Sequence, residues 1–251
     1  MAEAGLYIPE GYLPIANIYK DEGHEIIKAK NLVTDKSVVL KISRPGNNDI
    51  LKISKLSHEY NTLKKLDHDG IIKVSALLSK NKSVCVVEEF FEGETLKARI
   101  FRQPFSLKEF FHVALQLTEI LAYVHAHGII HKDINTTNIL ISNDLKVKLI
   151  DFGISSNFTN EEHEVLNPDN LEGTLTYISP EQTGRTSYAI TPGSDLYSLG
   201  IVFYEMLSGK PPFDSADALE VIHFHLSRIP ASIAKILPGL PAGLSMIISE
   251  L

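Results

Sequence analysis

Short runs of alternating apolar and polar residues fill the first third of the chain, and this pattern is typical of β-strands. The runs are rich in Ile, Val, Leu and Tyr, and polar or turn-forming residues separate them. The first three read YLPIANIY from Tyr12, EIIKAKN from Glu25 and KSVVLKIS from Lys36, and two more cover residues 71–78 and 83–88. We therefore predict that this part of the chain is mainly β-strand.

Apolar residues at helical spacing interrupt this pattern once and dominate the later part of the chain. Residues 49–66 carry one such stripe between the third and fourth strands. The strongest helix prediction covers residues 106–127, where Ser106 and Glu109 have the spacing of a capping box and Gly128 follows as a terminator. An apolar helix is also predicted for SDLYSLGIVFYEMLSGKPPF, and two more for the tail.

Composition narrows the class of protein. A chain of 251 residues with 44% hydrophobic residues can bury a sizeable core, as one large domain or two lobes. The net charge of -7 gives no electrostatic reason to expect nucleic acid as a partner. One cysteine, Cys85, excludes an intramolecular disulfide. The N-terminal stretch lacks signal-peptide features, and no apolar run approaches the roughly 20 residues that span a bilayer. We expect a soluble, cytoplasmic protein without membrane insertion.

The stretch His131–Gly153 carries the residues with the clearest chemistry. Asp133 and Asn138 lie in its first part, and Asp151 follows two short apolar segments that a polar break joins as a tight hairpin. A hairpin would bring the two polar parts side by side. One carboxylate could then receive a proton while Asn138 and Asp151 bind Mg²⁺, which prefers oxygen ligands. Phosphoryl transfer needs this arrangement.

This stretch resembles the catalytic core of eukaryotic-type serine/threonine protein kinases, whose signature reads H-R-D-L-x-x-x-N and then D-F-G. Lys132 replaces the Arg of that signature. EGTLTYISPE resembles the family's G-T-x-x-Y-x-A-P-E, and the resemblance extends over roughly Tyr12 to Leu251. The alternative interpretation is an ordinary hairpin whose loop contains Asp and Asn because loops favour them.

The resemblance implies specific catalytic roles. Asp133 would orient the acceptor hydroxyl and take its proton, and Asn138 and Asp151 would bind Mg²⁺. Lys41 ends a strand similar to V-A-I-K and would hold the ATP phosphates, fixed by Glu59 of the first helix. Thr174 matches a Thr that contacts the catalytic loop in serine/threonine kinases, which makes Ser or Thr of a protein the expected acceptor.

Adenine recognition is expected around the hinge, residues 89–94. Backbone groups near two hinge residues would hydrogen-bond the base, and four apolar side chains would cover it. The hinge residues are Glu89 and Phe91, and the covering side chains are Ile18, Ile26, Val39 and Leu140.

The chain departs from the family pattern at three places, of which the first predicts weak nucleotide binding and the second slow catalysis. The loop expected to be glycine-rich contains only Gly23, and Asp21, Glu22 and Glu25 bring negative charge to it. Asn135 occupies the place of a Lys that contacts the transferred phosphate. Glu88 lies at the back of the expected adenine pocket, where an apolar residue or Thr is more usual.

We therefore predict an α+β fold of the bilobal protein-kinase type. The expected small β-rich N-lobe with one helix covers about residues 12–90, and the larger, mostly helical C-lobe covers about residues 95–251. The alternative function is a pseudokinase-type regulatory module with weak or no transfer activity. A small-molecule kinase of the same fold fits less well, because GTLTYISPE resembles the segment that shapes a peptide-acceptor site.

Two further positions are expected to be structural. Asp195 matches the family's Asp that hydrogen-bonds the backbone of the catalytic loop. Glu181 matches a Glu that in the family pairs with an Arg located beyond the helix that begins at Ala242 here. Because that Arg would lie after residue 251, we expect these residues to be part of a longer protein with further domains.

HKDINTTNIL and DALEVIHFHLSRIP are most similar to the kinase module at the front of bacterial hybrid sensor proteins. His125, His127 and His131 are expected to serve in packing and at a helix end rather than in a metal site.

Overall fold

The computed structural model describes residues 7–21, 23–44, 49–80, 83–157 and 175–251. These residues belong to two compact units. The first unit comprises Met1–Glu92 and Asp151–Ile154, and the second comprises Gly93–Ile150 and Ser155–Leu251. Thr174 and Glu22, which the sequence singled out, lie outside the described residues.

The first unit is a five-stranded antiparallel sheet with one helix, as predicted. Its elements are β1 (Tyr12–Lys20), β2 (His24–Asn31), β3 (Ser37–Ser43), α1 (Asp49–Leu63), β4 (Val74–Lys80) and β5 (Ser83–Glu89). The strand order is β1-β2-β3-β5-β4. β4 begins at Val74 rather than at Ile71, and the Ile71 amide donates to the His68 carbonyl in a turn (3.0 Å).

Side-chain alternation gives this sheet two different faces. One face forms an apolar core cluster of Ile27, Ala29, Val38, Leu40, Ile42, Cys85 and Val87. The strand register places Ile26 opposite Lys41 and Val39 opposite Glu88, which puts these four on the other face. α1 packs on that second face through Leu56, which contacts Val84 and Val86. The helix therefore covers the face that carries Lys41.

The second unit is mostly helical. It contains β6 (Glu94–Thr95), α2 (Leu96–Arg102), α3 (Leu107–Ala126), β7 (Ile129–Ile130), β8 (Ile139–Ile141), β9 (Val147–Leu149), β10 (Ser156–Asn157), α4 (Pro192–Ser208), α5 (Ala218–Ser227), α6 (Ile233–Ile236) and α7 (Ala242–Glu250). The short strands form two small sheets, β6-β8-β9 and β10-β7. The prediction missed α2, and it gave two tail helices where the structure has three.

Capping and apolar packing explain the two long helices of this unit. The predicted capping box of α3 is confirmed: Ser106 N donates to Glu109 Oε2 (3.0 Å), and Glu109 N donates to Ser106 Oγ (3.3 Å). α3 and α4 meet through an edge-to-face contact of Phe110 with Phe203, whose ring centroids are 5.4 Å apart. α4 is followed by Gly209, whose φ of 79° only glycine adopts easily.

Candidate active site

In the first unit, Lys41 makes the ion pair with Glu59 that the sequence predicted, and a second ion pair, with Asp151, that it did not. Its Nζ lies 2.9 and 2.8 Å from the two carboxylate oxygens of Glu59, on α1. Asp151 Oδ1 lies 3.2 Å from the same Nζ. Lys41 is only 9% exposed and Glu59 only 1%. A buried ammonium between two carboxylates is a group held in one position, as a phosphate-binding Lys must be. The role of Lys41 toward ATP stays a prediction.

The charge of Lys41 is maintained by its neighbours. Burial alone would lower the pKa of Lys41, but the negative charges of Asp151, Glu59 and Glu88 raise it well above its ordinary value. Lys41 is therefore an ammonium ion at every physiological pH. Its positive charge in turn keeps Glu59 from being an isolated buried carboxylate, which would cost several kcal/mol.

Glu88 is a second buried carboxyl group on this face, and it is 8% exposed. Burial raises the pKa of Glu88, the positive charge of Lys41 opposes this effect, and Asp151 and Glu89 reinforce it. Together these effects bring the pKa of Glu88 to about 7. The sequence left open how an ionisable group is accommodated here. The structure places it within electrostatic reach of Lys41, and near neutral pH a large fraction of it is protonated.

Asp151 begins a tight turn with unusual backbone geometry. Its φ is 64°, in the left-handed region that Asp tolerates better than most residues. Its Oδ1 accepts a hydrogen bond from Gly153 N (3.2 Å), and its side chain is 41% exposed. One side of this carboxylate thus faces Lys41, while part of it stays accessible. Residues held in sparsely populated backbone regions cluster at functional sites.

In the second unit, two amides hold the carboxylate of Asp133. Asn135 Nδ2 donates to Oδ1 (2.8 Å), and Asn138 Nδ2 donates to Oδ2 (2.7 Å). Asn138 Nδ2 also lies 3.1 Å from the Asp133 carbonyl oxygen. Both oxygens of the predicted catalytic base therefore have a fixed orientation. The amide oxygen of Asn138 remains as its ligand atom for a hard cation.

Asn135 is itself fixed by its backbone neighbours. Its Oδ1 accepts hydrogen bonds from Thr137 N (2.8 Å), Thr137 Oγ1 (2.6 Å) and Asn138 N (3.0 Å). The amide therefore has one orientation, with Nδ2 toward Asp133. The sequence identified Asn135 only as a missing Lys. Its position two residues after a loop Asp and before Thr137 was a signal for such an Asx turn.

Asp195 on α4 holds the start of the same loop, as predicted. Its Oδ2 accepts from His131 N and its Oδ1 from Lys132 N, both at 2.8 Å, and it is 1% exposed. His125 Nε2 lies 2.8 Å from Oδ2. These contacts stabilise the left-handed backbone conformation of Lys132, whose φ is 68°.

Within the described ranges, no cluster of three or more metal-ligating side chains occurs.

The hairpin prediction is also confirmed. β8 pairs antiparallel with β9, with Ile139 opposite Leu149. Ile150 N donates to the Asn138 carbonyl (3.0 Å), and His131 Nε2 lies 3.2 Å from the Ile150 carbonyl oxygen. The polar loop and the end of the hairpin are thus bonded together.

Sequence reasoning missed a set of contacts that ties the segment after residue 174 to this loop. Tyr177 OH lies 2.7 Å from Thr136 Oγ1 and donates to Glu205 Oε2 at 2.6 Å. Gln182 Nε2 donates to the Lys132 carbonyl (2.7 Å). Because these partners lie far apart along the chain, no local sequence pattern predicts their contacts.

The residues predicted to bind adenine are distributed over both units. Ile26 and Val39 are half-buried on the face that carries Lys41, whereas Ile18 on β1 is 54% exposed. Glu89 N donates to the Lys73 carbonyl (2.9 Å), and the Glu89 side chain accepts from Lys73 N (2.9 Å). Phe91 and Leu140 are half-buried, in the first and second units respectively. Their contacts with a base stay a prediction.

Comparison with known proteins agrees with this geometry. The family model of the protein kinase domain matches residues 22–239. The chain is 30% identical over 236 residues to the probable serine/threonine-protein kinase PknB of Lactococcus lactis, covering 93% of this chain and 36% of that protein. It is 32% identical over 222 residues to the serine/threonine-protein kinase PrkC of Bacillus subtilis, covering 88% and 34%.

The serine/threonine-protein kinase PknB of Mycobacterium tuberculosis is 30% identical over 236 residues, which are 92% of this chain and 35% of that protein. The chain thus spans about a third of the length of these relatives. A family match over most of the chain, together with the Lys41–Glu59 pair and the Asp133 loop, leads to one assignment. This chain belongs to the protein kinase domain family, as a eukaryotic-type serine/threonine kinase domain.

Proposed function

We propose that this domain transfers the γ-phosphoryl group of ATP to Ser or Thr hydroxyls of protein substrates. The observation that carries the proposal is the buried Lys41, which Glu59 and Asp151 hold as an ammonium ion. Burying a charged group costs free energy even when it is paired, and such groups are often found at functional sites. Phosphate binding is a function that requires a positive charge held in one position.

In this reaction each group has a distinct task. Lys41 holds the ATP phosphates, and Asp133 orients the acceptor hydroxyl and takes its proton. The acceptor oxygen forms a bond to the γ-phosphorus, the bond from that phosphorus to the bridging oxygen breaks, and ADP leaves with the electron pair. The two amides on Asp133 keep its carboxylate aimed during the step.

The residues present fit Mg²⁺ as the metal. The amide oxygen of Asn138 and the partly exposed carboxylate of Asp151 are both hard oxygen donors. In phosphoryl-transfer sites Mg²⁺ takes most of its other ligands from phosphates and water, so a larger cage of protein ligands is not needed. When bound, Mg²⁺ neutralises phosphate charge.

We also propose a cellular setting for the domain. ATP is available in the cytoplasm, and the buried thiol of Cys85 would stay reduced there.

Since the relatives extend well beyond the matched region, we propose that further domains follow this one in the full protein. Whether these are the sensor modules suggested by the sequence stays a prediction. In the part of the chain that is described, no helix is both long and apolar enough to cross a bilayer.

A transfer assay tests the proposal. The protein is incubated with γ-labelled ATP, Mg²⁺ and generic acceptors such as casein, and the labelled amino acids are identified after hydrolysis. We expect label on Ser or Thr, its loss with a chelator, and its loss in Lys41→Met but not in Lys36→Met, which changes an exposed Lys before β3. Nucleotide binding without any transfer would instead support the pseudokinase alternative, although the named relatives give that alternative no support.

A further inference from the structure

The turn between β1 and β2 is closed by one of its own carboxylates. Asp21 Oδ1 accepts hydrogen bonds from Gly23 N and from His24 N, each at 2.6 Å. Two consecutive backbone N–H groups that converge on one oxygen form the arrangement in which proteins bind anions. In this structure the anion is part of the loop itself.

Backbone contacts hold this turn in shape. Asp21 N donates to the His24 carbonyl (3.1 Å), and Arg44 N donates to the Gly23 carbonyl (2.9 Å). Arg44 Nη1 also donates to the Asp21 carbonyl (2.6 Å). Burial raises the pKa of Asp21, but hydrogen bonds from His24 and Gly23 outweigh it and hold the pKa below its usual value. The carboxylate is therefore ionised at neutral pH.

His24 connects this turn to the Lys41 site. Burial lowers the pKa of the His24 imidazole, the positive charge of Lys41 lowers it further, and Asp21 and Asp151 oppose this effect. His24 is thus within electrostatic reach of Lys41 and Asp151, within the same unit. The two N–H groups occupied by Asp21 belong to Gly23 and to His24 itself.

Glu25, the second described acidic residue near this turn, lies on β2 and has partners of its own. Asn17 Nδ2 donates to Glu25 Oε1 (2.6 Å), and the nitrogens of Lys20 and Arg44 lie 3.9 Å from Glu25 Oε2. The expectation that Glu25 weakens nucleotide binding therefore has no support from its contacts. Of the described acidic residues in this turn, Asp21 is the one bonded to loop amides.

We propose that Asp21 is an internal substitute for a nucleotide phosphate and lowers the affinity of the domain for ATP. This inference rests on the proposed function and on the resemblance to protein kinases, in which a loop between the first two strands covers the ATP phosphates. A phosphate oxygen of ATP can take the hydrogen bonds of Gly23 N and His24 N only when the Asp21 carboxylate leaves them. The displaced carboxylate then repels the nearby phosphates.

Binding measurements on Asp21 variants test this contact. Affinities for the non-hydrolysable analogue AMP-PNP with Mg²⁺, and for adenosine, are measured by titration calorimetry on the parent, Asp21→Ala and Asp21→Asn. We expect Asp21→Ala to bind Mg²⁺–AMP-PNP about tenfold more tightly, which corresponds to about 1.4 kcal/mol. Asp21→Asn retains an acceptor for both amides without the charge, so its gain should be smaller. Adenosine affinity should not change, because adenosine has no phosphate.

The control is Asp69→Ala, which removes a fully exposed carboxylate from the same unit and should leave both affinities as in the parent. If neither Asp21 variant gains affinity for Mg²⁺–AMP-PNP, or if adenosine affinity rises equally, the proposal is wrong. Failure of the proposed function has a different signature. In that case the Asp21 variants gain nucleotide affinity, yet no variant and no parent sample transfers phosphate to protein.

Discussion

At the scale of single residues, Asn135 has a different role from the Lys that the family pattern has at this position. The sequence predicted a lost positive charge at this position. The structure shows an amide that bridges Asp133 and the backbone of residues 137–138. Asn135 thus helps to position Asp133, although it lacks the positive charge with which the family's Lys contacts the transferred phosphate.

We predict that Asn135→Ala lowers kcat about tenfold and leaves KM for ATP nearly unchanged, because it removes one of two hydrogen bonds that orient Asp133. Steady-state kinetics are measured on Asn135→Ala, on the parent and on Thr137→Val. Thr137→Val removes the hydroxyl donor to Asn135 but keeps the Asn135 side chain. A change in KM for ATP with constant kcat would mean that Asn135 acts on the nucleotide instead.

Glu88 leads to a prediction about stability and pH. Its pKa is about 7 in the folded protein and near 4.5 when unfolded, so the unfolded chain loses this proton first as pH rises. Stability from this group is therefore fully present below about pH 4.5 and is lost as pH rises through about 7. Lys41, Asp151 and Glu89 are the charges that act on it.

Replacing Glu88 with Gln removes this titration. We expect Glu88→Gln to be more stable relative to the parent at pH 8 than at pH 5, by up to about 3 kcal/mol. Urea unfolding at both pH values measures the difference, and Glu10→Gln, which changes an exposed residue of the same unit, serves as the control. Identical pH dependence in Glu88→Gln and the parent would exclude a buried, titrating Glu88.

Some residue-scale features were predictable and others were not. Lys41, Glu59, Asp133 and Asn138 follow from motif spacing, because the reaction restricts both their types and their order. The burial of Glu88 and the contacts of Tyr177 and Gln182 with the loop of residues 131–138 depend on which atoms the fold brings together. A sequence pattern does not contain that information.

At the scale of elements, α4 supports the catalytic loop through its first turn. Asp195 there accepts hydrogen bonds from the backbone amides of the buried His131 and the partly buried Lys132. Negative charge near a helix N-terminus is also favourable. The helix was predictable from its long apolar run and its Gly terminator, whereas the role of Asp195 was implied by the resemblance to protein kinases. α2 was missed, since it has only seven residues.

We predict that Asp195→Ala destabilises the domain by about 3 kcal/mol or more, since it leaves buried N–H groups without an acceptor. Asp217→Ala is the matched comparison, because Asp217 caps α5 through Leu219 N (2.9 Å) and its loss should cost only about 1 kcal/mol. Chemical denaturation of both variants gives the two values. Equal costs would show that Asp195 is an ordinary cap.

At the scale of the whole molecule, each unit carries one part of the proposed machinery. The sheet and α1 of the first unit hold Lys41, Glu59 and Asp151, whereas the loop of the second unit holds Asp133 and Asn138. The order of strands and helices along the sequence predicted a β-rich part followed by a mostly helical part, and the resemblance to protein kinases implied the bilobal fold. Residues 151–154 belong to the first unit, although they follow the hairpin of the second. That grouping depends on long-range contacts, which local patterns do not reveal.

The most direct test of the central claim separates nucleotide binding from transfer in one set of samples. Mg²⁺–ATP affinity and the rate of label transfer to a protein acceptor are measured for the parent, Asp133→Asn and Asp214→Asn, the last changing an exposed carboxylate of the second unit. We predict that Asp133→Asn binds Mg²⁺–ATP within about twofold of the parent and transfers phosphate at least about a hundredfold more slowly, because the base is lost while phosphate contacts remain. Asp214→Asn should match the parent in both. Transfer by Asp133→Asn at the parent rate would contradict the account.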